Sequence, residues 1–116
     1  MLRLIIFLSS ITVCGQVMSS SFWLYGTVTR TLVDTNSWGE CMAKIVPGPH
    51  TVQPACGVEW VTFSCSGDFN TKARGHSKLE SAQLAMVTGK PIAIWVDETK
   101  KHNGYCFGRR VDVLKE

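Results

Sequence analysis

The chain has 116 residues, 12 Lys and Arg against 9 Asp and Glu, a formal net charge of +3 and 45% hydrophobic residues. A chain of this size makes one domain with a thin core, burying only about 60 to 65% of its unfolded surface. The charge is too small and too dispersed to track phosphates, which argues against nucleic acid as a partner, and no apolar run reaches the roughly 18 to 20 residues of a membrane span.

The opening Met1-Leu2-Arg3, the apolar run 4–13 and the small residues up to Ser21 read as a secretory signal peptide cleaved after Ser19 or Ser21. Ile11-Thr12-Val13-Cys14 loosely resembles a lipidation box, but Val13 stands where a small residue is wanted, so a lipoprotein is the weaker reading. The expected division is 1–21 leader and 22–116 a single domain, secreted or periplasmic. Cleavage after Ser21 removes 21 of 116 residues and leaves 95, with net charge +2 because Arg3 is the one charge lost. Export also decides the cysteine chemistry: Cys41, Cys56, Cys65 and Cys106 are expected as disulfide partners rather than reactive thiols.

Along the mature chain, Leu24, Val28 and Leu32 alternate with Tyr25, Thr27, Thr29 and Thr31, the period of a long half-buried strand with a bend at Gly26. A turn at 34–37 leads to a second strand over 41–46, a Pro/Gly loop to Ala55, and a third strand over 57–65. Ser77-Lys78-Leu79-Glu80 reads as a capping box, and Gly89 followed by Pro91 reads as a helix end, so the helix is expected over 78–88 with Leu79, Ala82 and Met86 on its buried face. A fourth strand at 92–96, a polar loop over 97–104 and a last strand with Phe107, Val111 and Val113 in phase complete the order β-β-β-α-β-β.

A long bent first strand and a helix between strands three and four match a five-stranded, OB-like Greek-key barrel, mainly β with one helix. Four cysteines allow three connectivities. Cys41 lies in phase with Ala43 and Ile45, and Cys65 with Val61 and Phe63; strands three and five are parallel neighbours in such a barrel, which brings Cys56 beside Cys106. The preferred pairs are Cys41 with Cys65 and Cys56 with Cys106.

The passage Leu79-Glu80-Ser81-Ala82-Gln83-Leu84-Ala85-Met86-Val87-Thr88-Gly89-Lys90-Pro91-Ile92-Ala93-Ile94 resembles the helix-to-strand segment of OB-fold B subunits from subtilase-type and typhoid-type bacterial toxins. Over most of the mature chain, the Trp-Val-Thr-Phe strand, the Thr-Gly-Lys turn and Asn-Gly-Tyr-Cys before the final strand are similar to a family of small exported bacterial proteins of unassigned activity. The toxin resemblance implies a homo-oligomer, pentameric in those proteins, that binds cell-surface glycans, although no stretch aligns with their sugar-contacting residues.

His50, His76 and His102 are scattered, without HExxH or CxxC, so neither a metal nor a cofactor is expected. No GxSxG elbow exists and the serines read as lying in polar turns or strand ends, so no catalytic residue is assigned and the chain is not read as an enzyme. Binding fits better. Trp38 in the first loop, the Lys101-His102-Asn103 turn, Tyr105, and Trp60, out of phase with the core residues of its strand, form the expected ligand site: aromatics for a sugar's apolar face and cations for a carboxylate. Trp95 is expected in the core, and Arg109 and Arg110 in pairs with acidic residues on neighbouring strands. The alternative reading is a protein-binding module or enzyme inhibitor that presents the loop 47–55, held by Cys56.

Overall fold

A computed structural model describes residues 21–115, so the leader reading falls outside the described residues. Five strands, β1 (Ser21–Val33), β2 (Cys41–Val46), β3 (Trp60–Thr62), β4 (Ile92–His102) and β5 (Tyr105–Val113), and one helix, α1 (Lys72–Thr88), follow the expected order. The sheet closes on itself in the order β1-β2-β3-β5-β4, with β3 and β5 parallel and every other pair antiparallel. Closure leaves no sheet edge unpaired, which matters for a domain with a small core.

β1 serves two neighbours in turn. Residues 21–26 pair with β4 and residues 27–33 with β2. The changeover falls at Gly26, where a Cβ would lie 2.8 Å from Ile45 Cγ2 and from the Val46 carbonyl oxygen, so only a glycine lets the strand turn this close to β2. Beyond it the register slips between Val28 and Arg30. Such a bulge reverses the side-chain alternation. Leu24 and Val28 enter the core as expected, whereas Leu32 falls in phase with Arg30 on the outer face and is no part of the core cluster.

The ring is filled by Leu24, Val28, Ala43, Ile45, Val61, Phe63, Ile92, Ile94 and Val96, with Leu79, Ala82 and Ala85 of α1 packed on it. Both expected disulfides form, Cys41–Cys65 and Cys56–Cys106, closing 24 and 50 residues of sequence.

The helix begins six residues before the expected start. Thr71 is the N-cap, its hydroxyl accepting from the Arg74 N–H at 3.2 Å, while Ser77 lies inside the helix and donates to the Ala73 carbonyl at 2.9 Å. The C-terminal end is as expected: Gly89 is left-handed and its N–H donates to Ala85. β3 is shorter than expected, three residues instead of nine, and β4 runs on to His102 through the segment that the sequence predicts as a loop. The connection is a two-residue turn at Asn103 and Gly104, both at positive φ, the pairing that suits strand twist in a tight hairpin. Trp95 is not core: it is half-buried on the outer face, 5.1 Å from the Trp23 ring. Arg110 pairs with Asp112 two residues on in the same strand rather than across the sheet.

Candidate functional site

Trp38, Trp60 and Tyr105 converge with Arg30, Leu32 and Met42 on a pocket of about 200 Å³ against β1, β2 and β3. Each wall is fixed by its own local structure. Trp38 opens a single 3₁₀ turn, Trp38–Glu40, in which three successive residues have positive φ: Trp38 at 58°, Gly39 at 71° and Glu40 at 72°. For a bulky residue the left-handed region costs of order 1 to 3 kcal/mol and persists only where its surroundings enforce it. Here they do: the Trp38 N–H donates to Asn103 Oδ1 at 2.8 Å and its carbonyl accepts from Thr62 Oγ1 at 2.8 Å. The peptide at Gly39 is pressed under the β4–β5 hairpin, since a Cβ there would reach 2.6 Å from Thr62 Oγ1 and 2.9 Å from His102 Nε2.

Tyr105 is seated as firmly. Its ring lies on Gly57, whose absent side chain makes the space, and the Gly57 N–H donates to the Gly104 carbonyl at 3.0 Å. The Cys56–Cys106 disulfide joins the residues flanking this contact. On the third wall the Arg30 guanidinium stands 5.8 Å from the Trp60 ring centroid, a geometry in which the ring face attracts the cation. The site is therefore two indoles and a phenol ring on a rigid frame, with one guanidinium able to accept a ligand anion.

Of the six expected ligand residues, three meet in this pocket. Asn103 supports it from behind through Trp38. Lys101 is exposed on the β4–β5 hairpin and does not line the pocket. His102 turns the other way, stacking on Phe69 at 4.3 Å between ring centroids, with Nε2 3.0 Å from Ser64 Oγ and 3.7 Å from Asp68 Oδ2. The cation of the pocket is Arg30 instead, placed there by the bulge in β1, which is invisible to a strict two-residue period.

Ser64 stands two residues beyond the end of β3, a strand-end serine as expected. Ser64 is fully buried at φ 53°, its Oγ accepting from the Phe69 N–H at 3.1 Å. Serine and carboxylate both approach the same histidine nitrogen, whereas a relay holds the carboxylate on Nδ1 and the hydroxyl on Nε2. The cluster ties the hairpin to the loop before α1. Among the described residues no three His, Cys, Asp or Glu side chains converge so as to hold a metal ion, and no helix is long and apolar enough to cross a membrane.

The loop 47–55 is anchored at its start against Glu59, while Thr51, Val52, Pro54 and Ala55 are exposed. Gly48 and Pro49 are buried, and His50 Nδ1 accepts from the Glu59 N–H at 3.1 Å. No protein-family model, curated protein or solved structure matches the chain.

Proposed function

We propose that the protein is an exported binding module that recognises a glycan through the Trp38, Trp60 and Tyr105 pocket, with Arg30 as the anchor for an acidic sugar. One observation carries this reading: three aromatic side chains and one guanidinium line an open pocket of about 200 Å³, below the range of drug-sized sites. Indole and phenol faces pack on the C–H face of a pyranose at little entropic cost, having only two side-chain torsions each. A guanidinium pairs a carboxylate in a bidentate fork.

The left-handed backbone at Trp38 supports the same reading, because strain of that kind concentrates at functional sites. The strand order 1-2-3-5-4, with a parallel third and fifth strand and the helix between strands three and four, supports an OB-type architecture resembling the toxin B subunits. The two disulfides support an oxidising, extracellular working environment.

The test is a glycan array probed with the oxidised domain, followed by titration of the best acidic saccharide against Trp38→Ala, Trp60→Ala, Tyr105→Ala and Arg30→Gln. Each aromatic truncation should weaken binding tenfold or more, about 1.4 kcal/mol, and Arg30→Gln should remove the preference for acidic over neutral sugars. Unchanged affinity in all four variants, with the fold intact, overturns the assignment.

A further inference from the structure

A second groove, of about 570 Å³, opens where the start of α1, the loop before it and the β4–β5 ladder meet. Five cations line it, Arg74 and Lys78 from α1, Lys100 from β4, Arg109 and Arg110 from β5, and no carboxylate does. It shares no lining residue with the Trp38 pocket.

Local irregularities in the strands and one close helix approach put these charges together. The β4–β5 register jumps between Asp97 and Lys101, so residues 98–100 bulge outward, and Asp97 Oδ1 fixes the bulge by accepting from the Thr99 N–H at 2.9 Å and from its hydroxyl. A second shift, opposite Trp95 and Val96, leaves Arg109 without a partner across the ladder, so the consecutive residues Arg109 and Arg110 are both exposed. Bulges of this kind re-aim side chains at binding sites. Gly75 does the same for the helix: a Cβ there would fall 2.9 Å from Cys65 Cα, and its absence lets α1 lie against the backbone beyond β3 with Arg74 and Lys78 at the groove.

Four of the five charges have no internal counter-ion: among the described residues Arg74, Lys78, Lys100 and Arg109 enter no salt bridge, and Arg110 pairs only with Asp112. Lys78 Nζ donates to the neutral acceptors Asn70 Oδ1 at 2.7 Å and the Gly108 carbonyl at 3.1 Å, above the Phe107 ring. Burial, then the Arg109 and Arg74 charges, pull the pKa of this ammonium down to about 8, the behaviour of a cation crowded by like charges without a counter-ion. The groove also continues into an aromatic face: Arg110 stands 5.5 Å over the Trp23 ring, which packs on Trp95 and on the exposed Tyr25.

We propose that this groove is a second binding site, for a densely anionic polysaccharide whose sulfate or carboxylate groups seat against Arg74, Lys78, Lys100 and Arg109 while its sugar rings run on over Trp23 and Tyr25. The aromatic continuation favours a saccharide over a bare anion, and the disulfides argue for a compartment in which polysaccharide rather than nucleic acid is met.

The experiment titrates the full oxidised domain with a heparin octasaccharide, following backbone and indole NMR shifts and the salt dependence of Kd. Shifts should cluster at residues 74–78, 100 and 107–110 and at the Trp23 indole, leaving the Trp38 and Trp60 indoles in place. Replacing the three exposed residues, Arg74→Gln, Lys100→Gln and Arg109→Gln together, should weaken binding tenfold or more with an unchanged melting temperature, and should lower the slope of log Kd against log salt by roughly one per cation removed. Neutral dextran of equal length should not bind. Equal affinity in the triple variant, shifts centred on the Trp38 pocket, or tighter binding to a single-stranded oligonucleotide or an anionic vesicle of matched charge would each overturn the proposal.

Discussion

Gly57→Ala is a sharp test of how the aromatic pocket is held. Gly57 does not lie in the left-handed region, so alanine suits its backbone, and the whole penalty comes from contact with Tyr105. The added Cβ would stand 2.5 Å from Tyr105 Cε1 and 3.0 Å from Cγ. Ordinary contact begins at 3.4 Å, so the ring must retreat by at least about 0.9 Å from Cε1's present separation of 2.5 Å, Cδ1 lying closer still. The backbones cannot separate to allow this, because the Cys56–Cys106 disulfide holds them with Cα atoms 5.3 Å apart and Gly57 is hydrogen-bonded to Gly104. Overpacking of this kind costs about 1 to 3 kcal/mol, which in a domain of this size lowers the melting temperature by roughly 5 to 20 °C. The displaced ring should also weaken saccharide binding tenfold or more. A double-mutant cycle isolates the cause: in a Tyr105→Ala background the ring is gone, and Gly57→Ala should then be neutral or stabilising by about 0.4 to 1 kcal/mol through the unfolded chain. If Gly57→Ala costs the same with and without the ring, the steric argument fails.

Thr71→Ala should cost about 1 kcal/mol by removing the true N-cap, while Ser77→Ala, which loses only a bond to the Ala73 carbonyl, should stay within about 0.5 kcal/mol; urea midpoints of the two variants decide it. Replacing both cysteines of the 50-residue loop with alanine should cost about 4 kcal/mol and those of the 24-residue loop about 3.5 kcal/mol on chain-entropy grounds, and loss of Cys56–Cys106 should also loosen Tyr105, which it flanks. Lys78 has its folded pKa lowered from 10.5 to about 8, so between those values the unfolded chain holds a proton that the folded chain has shed, and stability rises with pH across that window. Lys78→Met lacks this slope; the wild type should gain on it by about 1 kcal/mol from pH 8 to 10.5, solvent screening of a half-exposed ammonium keeping the gain small, and parallel thermal melts would show it.

Elements whose signals are local and periodic are legible in the sequence alone. The β2 limits, the Gly89 cap and both disulfides follow from alternation, a left-handed glycine and cysteine phase. Where the fold departs from the sequence pattern, the causes are physical. The Ser77–Glu80 box offers a cap that Thr71 supplies six residues earlier, because a hydroxyl four residues past a carbonyl serves equally well inside a helix. The Asn103-Gly104 pair is a strong hairpin signal, but the polar run around it, Asp97 to Asn103, masks a strand whose outward face is charged. Leu32 and Arg109 depart from their expected places for one reason: a single-residue bulge inverts every alternation beyond it, and nothing in composition announces the extra residue.

The cross-links sit beside strained or tightly packed positions. Cys41 directly follows the left-handed run 38–40, Cys65 directly follows Ser64 at φ 53°, Cys56 precedes the Gly57 seat and Cys106 follows Tyr105. In a domain with so thin a core, covalent closure would stabilise the fold from any pair of facing strands. Placed at the loop ends instead, it holds strained backbone that weak packing could not, so that Trp38 and Tyr105 are ordered before a ligand arrives. A preorganised aromatic wall removes much of the ordering cost of association. It follows that breaking either disulfide should weaken saccharide binding even at temperatures where the domain remains folded, an effect a purely global staple would not produce.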